Sequence, residues 1–308
     1  MARILVVERI APAGLELLSA RHETDVRLSL PRPELLAVAA EGGWDALVVR
    51  SQTRVDAELL AAAAPRLSVV AVASVGTDRI DLAAAAAASV KVINAPTGST
   101  VAAAEHAMAL LLALMRRIPS ADASVRRGEW DRARYVGAEL WHKTLGIIGL
   151  GKIGREVARR AAAFEMRVIA HDPFLAPGHL PEHVSALVVL PELLAAADVV
   201  TVHVTLTSQT RGLIGAEQIS AMKRGAVLVN VARGGLVDEM ALAAALHSGH
   251  LSGAAVDVFG TEPMAPDNPL REAPNTILTP HLGASTAEAQ ERAGVEMAER
   301  LLEALSGR

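Results

Sequence analysis

Three segments of this chain each close an apolar run with a residue of reactive type. Asn230-Val-Ala-Arg233-Gly-Gly235 carries a guanidinium, Asp257-Val-Phe-Gly-Thr-Glu262-Pro263 ends in a carboxylate, and Thr279-Pro-His281-Leu-Gly283 holds an imidazole. Hydride exchange between a nicotinamide and a 2-hydroxy or 2-keto acid needs those three groups. His281 suits taking or giving the hydroxyl proton near neutral pH. Glu262 can orient the imidazole and favour its charged form. Arg233 offers two parallel N–H groups to a carboxylate and carbonyl. Taken singly, each residue has a plainer role. Arg233 could cap a helix or pair with Asp238, Glu262 could be a solvated loop acid, and His281 a turn residue. Their place at three successive strand tips is what joins them.

Such tips need a sheet, and a cofactor needs a cradle beside it. Leu145 to Ile148 reads as a buried parallel strand that breaks into Gly149-Leu-Gly151-Lys152-Ile153-Gly154 and continues as a helix over Arg155 to Phe164. This G-x-G-x-x-G turn suits a pyrophosphate: Gly149 allows the sharp turn, Gly151 removes a Cβ from its path, and Gly154 lets helix and strand lie close. The helix start adds unpaired N–H groups and a positive dipole end. A second strand, Met166 to Ala170, leads to Asp172, which can accept ribose hydroxyls and would repel a 2′-phosphate, favouring NAD over NADP.

The rest of the chain alternates strand and helix in two series. Before residue 95, strands are expected at 4–7, 25–28, 46–49, 67–73 and 90–93, with helices at 12–20, 32–40, 56–64 and 83–88. From 144, strands are expected at 145–148, 167–170, 188–189, 198–204, 227–231, 253–258 and 276–279. Between the two series, Val101 to Arg117 reads as one long helix, apolar nearly all round and so buried on several sides. Glu288 to Leu305 reads as an amphipathic helix that must dock on one of the domains. The fold class is therefore α/β, with two Rossmann-like or flavodoxin-like doubly wound parallel sheets.

Composition excludes several other functions. The chain has 308 residues, 51% hydrophobic and 21% charged, enough for two full cores. Its formal charge of −4 argues against nucleic acid as a partner. No apolar run reaches the ~20 residues of a membrane span, and the chain opens on a strand rather than a signal-peptide layout. There is no cysteine, so thiol catalysis and Cys-ligated metals are excluded, and no paired metal spacing is found among the histidines. A cytoplasmic enzyme fits.

The glycine turn, Asp172-Pro173, the stretch Asn230 to Glu239, Ala255-Val-Asp257-Val-Phe, Glu262-Pro263 and Pro280-His281-Leu-Gly283-Ala-Ser285-Thr286 resemble the D-isomer-specific 2-hydroxyacid dehydrogenases over nearly the whole chain. Within that family, Asn94 to His106, Gly128-Glu-Trp130-Asp-Arg132 and Gly137-Ala-Glu139-Leu resemble members that act on 3-phospho-D-glycerate. The resemblance implies Arg233, Glu262 and His281 as the catalytic three, with His281 and Glu262 relaying the proton. It implies a cofactor set of the glycine turn with Lys152 and Ile153, Asp172 on the adenosine ribose, Val204, Val231, Ala232, Arg233, His281, Gly283, and Asp257 near the nicotinamide amide. Val75 and Gly76 would line the substrate cleft with Arg233 and His281. A discontinuous substrate domain (1–95 plus 282–308) would be hinged to an NAD-binding domain (96–281), with the cleft between them and helix 101–117 in a homodimer interface; pairing of dimers into a tetramer stays open.

The implied reaction is NAD-dependent oxidation of 3-phospho-D-glycerate to 3-phosphohydroxypyruvate, the first step of serine synthesis. The alternatives are a glyoxylate or hydroxypyruvate reductase and, more remotely, a dinucleotide-sensing corepressor-like binding protein, against which the intact catalytic three argue. Departures from the family bear on this choice. Val204-Thr205 stands where relatives often carry Thr-Pro or Leu-Pro, so a hydroxyl contact to cofactor is in doubt. Val72 replaces an arginine found near the substrate phosphate in some relatives, leaving Arg54, and Arg132 or Arg134 from a second subunit, as anchors. A serine-sensing regulatory domain is not expected. His106, on the apolar long helix, reads as a packed or interface histidine.

Overall fold

A computed structural model describes residues 1–175, 178 and 180–306, and the chain divides into two compact units. Unit 1 comprises Met1–Thr100 and Ala284–Arg308, and unit 2 comprises Val101–Gly283.

Unit 1 holds five strands: β1 (Arg3–Val6), β2 (Glu23–Val26), β3 (Ala46–Val49), β4 (Val69–Val72) and β5 (Lys91–Asn94). All pair in parallel, in the order β2-β1-β3-β4-β5. The central strands β3 and β4 are buried at every position, as a sheet covered on both faces requires. Helices α1 (Pro12–Ser19), α2 (Arg32–Ala40), α3 (Ala57–Ala62) and α4 (Leu82–Ala87) form the crossovers. Asp56 and Asp81 cap α3 and α4 by accepting the N–H of Leu59 and Ala84, so α3 starts one residue later than its sequence pattern suggests. The amphipathic C-terminal helix docks within this unit. It packs Met297, Ala298 and Leu301 into the core that also holds Ile4, Val6 and Leu18.

Unit 2 opens with α5 (Thr100–Met115), then α6 (Ile118–Arg126). The single long helix expected over 101–117 ends early because Arg117 turns left-handed (φ 53°) and Pro119 starts a new helix. Helix α6 has no counterpart in the sequence reading. As expected for its composition, α5 buries several sides, from Ala102 through Met108 to Leu114.

Seven parallel strands follow: β6 (Thr144–Ile148), β7 (Arg167–His171), β8 (Ala186–Leu187), β9 (Val199–Val202), β10 (Val227–Asn230), β11 (Gly253–Val256) and β12 (Thr276–Leu278). Their order is β12-β11-β10-β9-β6-β7-β8, so the strand order reverses between β6 and β9. Helices α7 (Lys152–Ala163), α8 (Leu190–Ala196), α9 (Ala216–Ala221) and α10 (Glu239–His247) cover the sheet, and α11 (Ala287–Ser306) is the helix already placed in unit 1. The short strand expected at 188–189 lies two residues earlier, because Val189 is already the N-cap of α8, which has Pro191 in its first turn. Helix α7 starts at Lys152 rather than Arg155, which puts Gly154 inside its first turn.

Among the described residues, no helix is long and apolar enough to cross a membrane, and no group of three or more His, Asp or Glu is placed to hold a metal.

Candidate active site

The glycine turn occupies the reversal point of the unit 2 sheet, where open α/β sheets bind ligands. Gly149 has φ 95°, and a Cβ there would meet the His203 carbonyl oxygen and Val204 Cγ1 at 2.7 Å each. A Cβ on Gly154 would lie 2.0 Å from the Gly149 carbonyl oxygen, so helix and turn pack backbone to backbone. A Cβ on Gly151 would meet nothing within 4 Å. That open space fronts the start of α7, whose N-cap is Gly151 and which has no side-chain cap. A helix start without a side-chain cap suits an anionic ligand. Asp172, after β7, accepts the Leu150 N–H at 2.8 Å and the Phe174 N–H at 3.0 Å. It holds the turn in shape, and each oxygen keeps capacity for one more donor such as a ribose hydroxyl. These residues fit a dinucleotide.

The three reactive residues converge within the same unit. His281 Nδ1 lies 2.8 Å from Glu262 Oε2, and Glu262 Oε1 accepts the Phe259 N–H at 3.1 Å. Gly234, next to Arg233, sits where a Cβ would be 1.8 Å from the Phe259 carbonyl oxygen, so the arginine turn rests directly on the Glu262 loop. Arg233 Nη1 also donates to the Ala232 carbonyl at 2.7 Å. The Ala232 N–H and the Arg233 carbonyl are tied to the Asn230 side chain at 3.1 Å each.

The hydrogen bond to Glu262 is the largest influence on His281 and raises its pKa above 6.5; burial and the Arg233 charge oppose it. Burial pushes the Glu262 carboxyl up, but the bonds from His281 and the Phe259 N–H outweigh it, and the net pKa lies below 4.5. The pair is set as a carboxylate facing a readily protonated imidazole. His281 itself sits in the left-handed region, φ 55°, an uncommon conformation for a residue with a Cβ.

Asp257 follows β11, at the strand end next to the His281 turn. Its side chain is 0% exposed, and its oxygens accept four hydrogen bonds, among them the N–H groups of Leu282 and Gly283. In this arrangement it holds the His281 turn. Gly283 is buried against that carboxylate, while Val204 and Ala232 are half-buried beside the core and Val231 lies within it. Ile153 packs on the unit 2 core and Lys152 is exposed at the start of α7. His203, at the tip of β9, is half-buried, its pKa lowered to about 4 by burial, and its enclosed Nδ1 has no partner among the described residues.

Unit 1 has its own reversal point, between β1 and β3, and a cavity of about 670 Å³ lies there. Arg9, Arg32, Arg50 and Arg54 line it, against Glu8 and Asp56. Glu8 accepts the N–H groups of Ser51, Gln52 and Thr53, shaping the loop that carries Arg50 and Arg54. Arg32 is paired with Asp56 and Glu58, and Arg54 lies 3.6 Å from Asp56. Arg50, half-buried at the tip of β3, makes no ion pair with any described residue. Arg50 directly follows the apolar strand β3, the sequence feature that marks it beside Arg54. Val72 is buried in the unit 1 core. The Val75 carbonyl accepts from Asn94 and the Gly76 carbonyl from Ser74, so both are engaged within unit 1.

Fold, glycine turn and paired acid–base group together describe a nicotinamide-dependent oxidoreductase of the hydroxy-acid type, and comparison with known proteins agrees. Residues 108–283 match the NAD binding domain of the D-isomer specific 2-hydroxyacid dehydrogenases. The chain belongs to that family, and its cofactor is NAD. It is 49% identical over 304 residues to D-3-phosphoglycerate dehydrogenase of Mycobacterium tuberculosis, covering 99% of this chain and 57% of that protein. The enzyme of the same name from Archaeoglobus fulgidus is 45% identical, with 99% and 58% covered. The chain thus spans somewhat over half the length of these relatives. Among solved structures, a Thermus thermophilus protein matches with TM-score 0.89 at 40% identity, covering 99% of this chain and 97% of that one. A glyoxylate reductase from Paecilomyes thermophila matches with TM-score 0.90 at 31% identity, covering 99% and 95%.

Proposed function

We propose that this chain oxidises 3-phospho-D-glycerate to 3-phosphohydroxypyruvate with NAD. The observation that carries the reaction is the 2.8 Å His281–Glu262 hydrogen bond within the electrostatic reach of Arg233. Because Glu262 accepts at Nδ1, the neutral imidazole keeps its hydrogen there and presents a bare Nε2 as the base. Proton uptake at Nε2 is favoured by the carboxylate behind it. Arg233 supplies the cation for the substrate's carboxylate and carbonyl. The glycine turn and the start of α7 would hold the phosphates of NAD and Asp172 its ribose, and the bound group would supply the hydride acceptor.

The phosphorylated substrate is supported by the names of the relatives and by the arginine cavity of unit 1, whose Arg50 suits an oxyanion. A cytoplasmic homodimer, with the substrate domain of 1–95 plus 282–308 and the cofactor domain of 96–281, belongs to the same reading. Exposed Ile118, Trp130 and Val136 offer apolar surface to a second copy. The buried Val72 favours, as a second reading, a reductase of small unphosphorylated keto acids.

The test is NADH formation from 3-phospho-D-glycerate, D-glycerate, D-lactate and glycolate. A strong preference for the phosphorylated acid is expected. Turnover of only the small acids would overturn the substrate and leave the catalytic three in place. Silence with all four, alongside NADH binding, would overturn the activity.

A further inference from the structure

The His281 turn is held from behind by a charge that lies outside the proton relay. Asp257 follows β11 and is wholly buried, yet burial, which pushes its carboxyl up, is outweighed by its hydrogen bonds, led by that from His106. Oδ1 accepts from the Thr279 hydroxyl at 2.6 Å, the Leu282 N–H at 2.8 Å and His106 Nε2 at 3.2 Å. Oδ2 accepts the Gly283 N–H at 2.9 Å. The same residue's main-chain carbonyl accepts the His281 N–H at 2.8 Å. One aspartate therefore fixes a strained turn at residues 281, 282 and 283. Thr279 gives its hydroxyl hydrogen to Asp257, so its oxygen can share the His106 Nε2–H, 3.4 Å away. Of the described groups on that carboxylate, His106 alone comes from a distant element, helix α5.

We propose that His106 is a positioning residue for His281: its Nε2–H completes the donor set that orients the Asp257 carboxylate, and that carboxylate fixes where the turn presents the imidazole. This rests on His281 as the proton-transfer group. The charged and titratable groups around it are Glu262 and Asp257 from the segment after β11, Arg233 from the tip of β10, and His106 from α5. The carboxylates raise the proton affinity of His281 and Arg233 lowers it. A full buried charge on Asp257 thus contributes to His281 as well as to its turn. Losing a donor favours protonation of a buried carboxylate, which removes that contribution.

The experiment compares His106→Leu, which fills the space without a donor, with His106→Gln, which keeps an N–H. Readouts are kcat and KM on the acid turned over fastest, NADH affinity by fluorescence, melting temperature, and the His281 titration followed by NMR without cofactor. His106→Leu should lower kcat about ten- to a hundred-fold, the cost of a misplaced catalytic group. NADH affinity should stay unchanged and the His281 midpoint should move down; His106→Gln should restore both. Wild-type kcat and titration in His106→Leu, equal damage in both variants, or a loss confined to melting temperature would each overturn the proposal. His281→Ala serves as the control. If it turns over normally, the role of His281 is wrong, and the NMR titration still decides whether His106 acts on that turn.

Discussion

The two sheets each reverse strand order once, and the two reversal points are furnished in opposite ways. At β6/β9 the walls are glycine and backbone, and the charged groups at neighbouring strand tips are already engaged with one another. At β1/β3 four arginines line the cavity beside Glu8 and Asp56, and of these Arg50 has no acidic partner among the described residues. Groups that must react need orientation and protonation state set before the substrate arrives, so their partners are built in. Groups that must capture an anion receive their partner from the ligand, and an internal one would compete with it.

Each half of this contrast can be broken by mutation. The largest effect is expected from His281→Ala, which should lower kcat by about 10²–10⁴-fold with NADH still binding; a binding titration beside the turnover assay checks both. Arg50→Ala should come next, raising KM for 3-phospho-D-glycerate about ten- to a hundred-fold, the range for a hydrogen bond to a charged group, and sparing D-glycerate. Arg54→Ala should do less, because that side chain is 75% exposed and lies beside Asp56. If the ranking of the two arginines is reversed in parallel kinetics, the cavity is misread.

The smallest expected effect is one of pH. Oxidation needs neutral His281, whose pKa lies above 6.5, so kcat/KM for the hydroxy acid should climb through a midpoint above that value. Glu262→Gln should move the midpoint down; an unmoved midpoint would separate the two residues. The stability terms have opposite signs. The raised His281 contributes below 6.5 and loses its contribution as pH rises through its folded value, whereas the lowered Glu262 contributes above 4.5 and loses it as pH falls.

Features set by local chain chemistry were legible in the sequence. The glycine turn follows from steric needs within a few residues, and the strand tips bearing Arg233, Glu262 and His281 follow from apolar runs that end abruptly. Features that depend on distant partners were not legible. The donor set of Asp257 joins α5 to the segments after β11 and β12, so the hydrogen bond from His106 could not be read from either stretch alone. Arg50 gains its setting only when β1 lies beside β3. Helix α6 balances Asp122 against Arg126 and buries only Ser124, so it lacks the apolar stripe from which helices are read.

The docking of α11 has a consequence for how the chain folds as it is made. A Cβ on Gly14 would lie 2.5 Å from the Gly294 carbonyl oxygen, so α1 and α11 meet backbone against backbone. Ile4, Val6 and Leu18 share their core with Met297 and Leu301. At ordinary synthesis rates the ribosome needs roughly 15–60 s to travel from the first of these helices to the second. Throughout that interval one face of the first sheet has α1 over it but lacks α11, while Val101–Gly283 emerges as an uninterrupted unit. The half made first is therefore the half completed last, and the nascent chain has a timed exposure of apolar strand surface for chaperones to shield.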